Sequence, residues 1–191
     1  MKKVFIIHGW GGNPEEGWFP WLKKELENRG FKVEVPSMPN PEYPKINEWV
    51  NFLSKLAGNA NEETFFVGHS IGCQAILRYL EILPQNKKIG GVIFVASWIN
   101  LMNLPTEEEK IAKPWLNTNI NWDKILEHTH NFVAVFSDND KWVPISDSEI
   151  FREKLRAKIF IEHNKGHFSG SDGVKELMSV LDAILKIPKY K

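Results

Sequence analysis

The residue types and spacing best able to do chemistry lie in GHSIG at 68–72. A serine hydroxyl becomes a nucleophile when a base takes its proton and a carboxylate orients that base. The G-x-S-x-G pattern alone arises by chance in roughly one chain of this size in twenty, with glycine near ~7% of residues. Its surroundings say more. An apolar run at 64–67 precedes it and a helical pattern at 71–83 follows it. That strand–turn–helix setting holds the serine in a strained turn with Oγ exposed, as in a nucleophile elbow. Gly68 and Gly72 then answer a steric need, because strand and helix leave no room for a Cβ. The competing reading is a helix N-cap serine in a glycine turn.

Six histidines are available as the base. His167, in KGHF at 165–168, follows the last apolar run, where a loop would carry it over the C-terminal edge of a sheet. His163 lies within such a run and is expected to face a packed layer. His128 and His130 precede a run, at the opposite edge, while His8 ends the first run and His69 is the variable residue of the elbow. For the acid, FSDNDKWVP at 136–144 offers Asp138 and Asp140. The chain order serine, acid after a later strand, histidine is that of the α/β-hydrolase triad. The D-x-x-V-P spacing favours Asp140. Asp147 and Asp172 read as N-caps of the helices after them.

A tetrahedral oxyanion needs two backbone N–H donors. Ile71, directly after the serine at a helix N-terminus, supplies one. HGWGG at 8–12 can bring a second close to Ser70, and Trp10 N–H is the candidate. Neither G-x-x-x-x-G-K-[ST] nor G-x-G-x-x-G is present, which argues against a nucleotide cradle. Cys73, one helical turn past Ser70, reads as a buried thiol packing on the sheet rather than a nucleophile.

The elements that position these residues alternate. Apolar runs at 4–7, 32–35, 64–68, 90–96, 131–136 and 158–163 are rich in Val, Ile and Phe, as expected for strands buried on both faces. The run at 32–35 alternates and suits an edge. Helical patterns fall at 18–29, 46–57, 70–83, 147–156 and 173–186. This order predicts one α/β three-layer sandwich over 1–191, with about six mostly parallel strands and right-handed crossovers. The connection at 97–130 is long for a compact domain and reads as a small lid-like insertion, with helix starts near Pro105 and Asn121.

Composition narrows the partners. Lysine plus arginine and aspartate plus glutamate both number 24, so nothing electrostatic points to nucleic acid or an anionic membrane. One cysteine excludes an intramolecular disulfide and a multi-cysteine metal site. The N-terminal apolar stretch at 4–7 is too short for a signal core. No apolar run approaches the ~20 residues of a membrane span. A cytoplasmic location is expected.

HGW and GWFPWLKKEL near the start, then MPNP, GHSIG, SDNDKWVP and GHF, resemble the small α/β-hydrolase-fold serine hydrolases of the retinoblastoma-binding-protein-nine type. The resemblance spans essentially the whole chain. It implies a short α/β-hydrolase with six core strands and a minimal cap. It also implies Ser70, Asp140 and His167 as triad and hydrolysis of esters or amides. The family's contact with retinoblastoma protein uses an L-x-C-x-E motif that this chain lacks, so that partner is not implied.

The expected reaction is acyl transfer to water from a small-molecule ester or amide, requiring no metal or cofactor. A catalytically weak scaffold acting as a binding module is the alternative. Of eight tryptophans, Trp49 reads as core. Trp10, Trp98, Trp142 and Trp115 fall in connections, several of them expected to form an aromatic wall around Ser70. That wall suggests a neutral pocket for an uncharged or apolar acyl group.

Overall fold

The structure, a computed structural model, describes residues 1–187. Six strands form one sheet: β1 (Lys3–Ile7), β2 (Lys32–Glu34), β3 (Thr64–His69), β4 (Gly91–Val95), β5 (Phe132–Ser137) and β6 (Lys158–Glu162). Their order is β2-β1-β3-β4-β5-β6, and every neighbouring pair is parallel. Parallel neighbours need crossovers, which the helices supply: α1 (Phe19–Glu27), α2 (Ile46–Ala57), α3 (Ile71–Ile82), α4 (Thr106–Asn117), α5 (Trp122–Leu126), α6 (Asp147–Leu155) and α7 (Met178–Lys186).

Strand side chains alternate between two cores. Phe5, Ile7, Phe66, Phe94 and Phe136 pack with α2, α3 and α6 on one face. Val4, Ile6, Val67, Val95 and Val135 pack with α1 and α7 on the other. The result is an α/β/α sandwich with both sheet faces covered, which explains the near-continuous apolar runs. The helix after β1 and the helix after β3 lie on opposite faces. A crevice therefore opens at the C-terminal ends of these adjacent strands, where open α/β sheets bind ligands. HGWGG and GHSIG both fall there.

Several boundaries differ from expectation. β6 is the second edge strand, and its residues are only half-covered. His163 follows β6 and is largely exposed, paired with Asp138, rather than facing a packed layer. The last helix starts at Met178, not 173, because residues 170–172 form a separate short turn and Gly173 follows at φ 76°. Asp172 therefore caps no long helix. It reciprocates with Ser169 in a capping box. Asp147 is not an N-cap either. Fully buried in α6, it accepts from Ile99 N at 2.6 Å and Asn100 N at 2.8 Å, tying the start of the long connection to that helix. Within that connection α4 runs on through Pro114.

Candidate active site

Ser70 sits between β3 and α3 with φ 53° and ψ −121°, a conformation that L-residues rarely adopt. The surroundings enforce it. A Cβ at Gly72 would lie 2.4 Å from Ile7 O, and one at Gly68 would lie 2.8 Å from the Cys73 backbone. The glycines thus let α3 start against β1 and β3. Ser70 N–H donates to Val95 O at 2.9 Å, which fastens the turn to β4. The Ser70 Oγ has no hydrogen-bond partner among the described residues, and it opens on a cavity of about 300 Å³. Contacts of a resting nucleophile are often loose and tighten when substrate binds.

His167 lines the same cavity, on the loop after β6. Its Nδ1 lies 2.8 Å from Asp140 Oδ2, with the carboxylate side chain only 2% exposed. The other Asp140 oxygen accepts from Trp142 N at 2.8 Å and Val143 N at 3.1 Å, so the carboxylate cannot swing. With Nδ1 engaged by Asp140, Nε2 is the ring nitrogen left to exchange a proton with a neighbour. Asp138 is engaged elsewhere: it takes His163 Nδ1 at 2.5 Å and Asn164 N at 2.9 Å. The two loops are laced further, Gly166 N donating to Asn139 Oδ1 at 2.8 Å and Lys165 N to Ser137 Oγ at 3.0 Å.

Two residues that support His167 escape a motif search. Asp172 Oδ2 accepts the His167 N–H at 2.9 Å. His69 Nε2 lies 2.7 Å from His167 O and donates to it. Burial and the neighbouring His167 push the His69 pKa down to about 3, so its ring is neutral. The Ser169–Asp172 capping box was the available signal for Asp172; His69 offered none beyond its place in the elbow.

Gly9 brings the β1 loop against the elbow, since a Cβ there would lie 2.9 Å from His69 Nδ1 and 3.5 Å from Ser70 Cβ. Among the described residues, neither Trp10 N–H nor Ile71 N–H finds an acceptor. Ile71 follows Ser70 directly in the chain, and Trp10 follows Gly9, the residue that meets the elbow. Cys73 is fully buried and its thiol is pushed up to about 12 by desolvation. Such a thiol stays protonated and is inert as a nucleophile.

Trp10, Trp98 and Trp142 line the cavity with Leu101 and Leu104. Trp115 does not. It is 2% exposed, donates Nε1–H to Pro44 O at 2.9 Å and packs edge-on to Trp49. Nor is the lining neutral, because Glu16, Glu42 and Glu108 also face the cavity. A whole-chain charge balance does not constrain the charge of one crevice. Among the described residues, no group of three or more His, Cys, Asp and Glu is placed to hold a metal ion, and no helix is long and apolar enough to cross a membrane.

A parallel six-stranded sandwich with a strained serine at the turn after β3 defines an α/β-hydrolase. Comparison with known proteins gives the family: the serine hydrolase family matches residues 4–185, and the chain belongs to it. YdeN of Bacillus subtilis (strain 168) is 34% identical over 183 residues, covering 96% of this chain and 94% of its own. The crystal structure of the ydeN gene product superposes with a TM-score of 0.90 at 31% identity, over 98% of each chain. The rat (Rattus norvegicus) serine hydrolase RBBP9 is 27% identical, covering 96% of this chain and 95% of its own. Est1E from Butyrivibrio proteoclasticus, solved with ferulic acid bound, shares the fold at a TM-score of 0.70 and 16% identity, over 97% of this chain and 90% of that one.

Proposed function

We propose that this serine hydrolase cleaves small carboxylic esters, and amides of similar size, through an acyl-enzyme on Ser70. Asp140 Oδ2 at 2.8 Å from Nδ1 of His167, which lines the same cavity as Ser70, is the observation that carries the reading. His167 Nε2 takes the Ser70 proton as Oγ attacks the carbonyl carbon. Asp140 fixes the tautomer and stabilises the imidazolium. Trp10 N–H and Ile71 N–H hold the oxyanion, where two preset donors outperform mobile water. The imidazolium then protonates the departing alcohol or amine. Water, deprotonated by the same ring, attacks the acyl-enzyme and releases the acid. A cytoplasmic setting fits a chain with one buried thiol.

The native protein is expected to react covalently with a fluorophosphonate probe and to turn over p-nitrophenyl butyrate. Ser70→Ala should abolish labelling and lower turnover by about 10³-fold or more. Labelling that persists in Ser70→Ala would refute the assignment.

A further inference from the structure

Three carboxylates face the cavity over Ser70, and nothing in the proposed reaction uses them. They converge from separate segments: Glu16 from the connection after β1, Glu42 from the one before α2, and Glu108 from the first turn of α4. Two of them pack on the loop that carries Trp10. A Cβ at Gly12 would lie 2.9 Å from Glu16 Oε2, and one at Gly11 would lie 3.4 Å from both Glu42 carboxylate oxygens. Among the described residues, none of the three forms an ion pair. Among the described residues no lysine or arginine lines the cavity, and its three indoles carry no charge.

Carboxylates without ion-pair partners, lining a crevice beside aromatic rings from its partly buried to its solvent-exposed edge, favour one ligand chemistry. A cation gains from the carboxylates through space and from an indole face through its quadrupole. Anionic esters are repelled by the same groups. The crevice also holds a reactive focus of its own: Ser70 is 8% exposed, with Oγ lacking a partner among the described residues and lining this cavity. The position of the charge is therefore tied to the position of the chemistry.

We propose that the substrate carries an ammonium group, seated among Trp10, Trp98, Trp142 and the three glutamates while its carbonyl meets Ser70. This rests on Ser70 acting as the acylated nucleophile. It names the substrate class, a cationic ester or amide, where the proposed function leaves the acyl and leaving groups open. Hydrolysis then adds a carboxylate to the acid product, which the lining glutamates disfavour, so release is assisted by the charge that favours entry.

Two isosteric ester pairs test this. S-butyryl thiocholine is compared with S-(3,3-dimethylbutyl) thiobutyrate, which places charge or no charge on the leaving group. The p-nitrophenyl esters of 4-(trimethylammonio)butyrate and 5,5-dimethylhexanoate do the same on the acyl side, after subtraction of the uncatalysed rate. In at least one pair the cationic member should have a kcat/KM about tenfold or more above its neutral isostere at low salt. That preference should shrink in roughly 0.5 M salt, as screened carboxylates require. Replacing all three glutamates (Glu16→Gln, Glu42→Gln, Glu108→Gln) should bring the ratio toward one. Neutral esters turned over with ratios at or below one in both pairs overturn the inference and leave the proposed function standing. Fluorophosphonate labelling without turnover of either cationic ester also overturns it. Failure of labelling and of all four esters overturns the proposed function itself.

Discussion

His167 is held at three points. Its amide donates to Asp172, its carbonyl accepts from His69 and its Nδ1 is bound to Asp140. Fixing backbone and ring together leaves the imidazole little freedom except at Nε2, which a general base uses. The two candidate aspartates separate on the same ground. Asp140 is almost fully buried with both oxygens committed, whereas Asp138 is about a third exposed and pairs with an exposed histidine. Substituting Asp140 by Asn keeps the shape but presents an amide that can donate where an acceptor is needed, favouring the wrong tautomer. Asp140→Asn should lower kcat by about 10³ to 10⁴ with little change in KM, while Asp138→Asn stays within a few-fold. Parallel kinetics on p-nitrophenyl butyrate decide it. Retained activity in Asp140→Asn would move the acid elsewhere.

At the scale of elements, the long connection is fastened from inside rather than hinged at its ends. Arg78, 3% exposed on α3, donates to Trp115 O at 2.7 Å and Thr118 O at 2.9 Å, closing the end of α4. Its guanidinium has no carboxylate partner in the ion pairs among the described residues, and burial lowers its pKa to about 10. Gln74 joins Arg78 to Trp98 O, so the pocket wall and α4 share one buried strut. Trp115 is the peg of this assembly. Trp115→Ala should therefore cost about 3–5 kcal/mol of stability, read as a fall in Tm of roughly 10 °C. Trp142→Ala removes a half-buried indole from the cavity and keeps the backbone N–H that holds Asp140. It should change KM while shifting Tm by only a few degrees. Equal losses of Tm in the two variants would refute the distinction.

The same contrast shows what the sequence makes legible. α2 spans the expected 46–57 because its apolar positions repeat at helical spacing and Gly58 ends it. The two-faced strands are readable because both neighbours of each residue are apolar. Trp115 was expected in the pocket because its chain position fits. Its direction is set by Pro44 O, 71 residues away, and no local pattern encodes that. β6 reads as another buried strand because edge status depends on the order of strands, not on the strand. The charge of the cavity was hidden for a related reason, since its three glutamates come from three separate segments.

Across the whole molecule, the crevice between β1 and β3 concentrates buried histidines as well as chemistry. His8 and His69 lie at the ends of these two strands, 1% and 5% exposed. Each is satisfied as a neutral ring. His8 Nε2 accepts from Met38 N at 2.9 Å while Nδ1 lies 2.8 Å from Gly9 O, so a second proton would abolish an acceptor. Burial lowers the pKa of both, that of His69 from 6.5 to about 3. Between those two values the unfolded chain binds a proton at this position that the folded chain refuses. Stability is therefore intact above about pH 6.5 and is lost progressively as pH falls toward 3, and His8 acts in the same direction. For His69 alone the loss by pH 5 amounts to about 2 kcal/mol. Carboxylates held below their usual range, such as Asp138 and Asp172, act at lower pH and do not confuse that window. Urea unfolding at pH 7 and pH 5 should show the wild type losing stability while His69→Gln, which keeps a donor for His167 O, loses about 2 kcal/mol less between the two conditions. Identical losses in the two proteins would mean that the His69 ring is not held neutral by the fold.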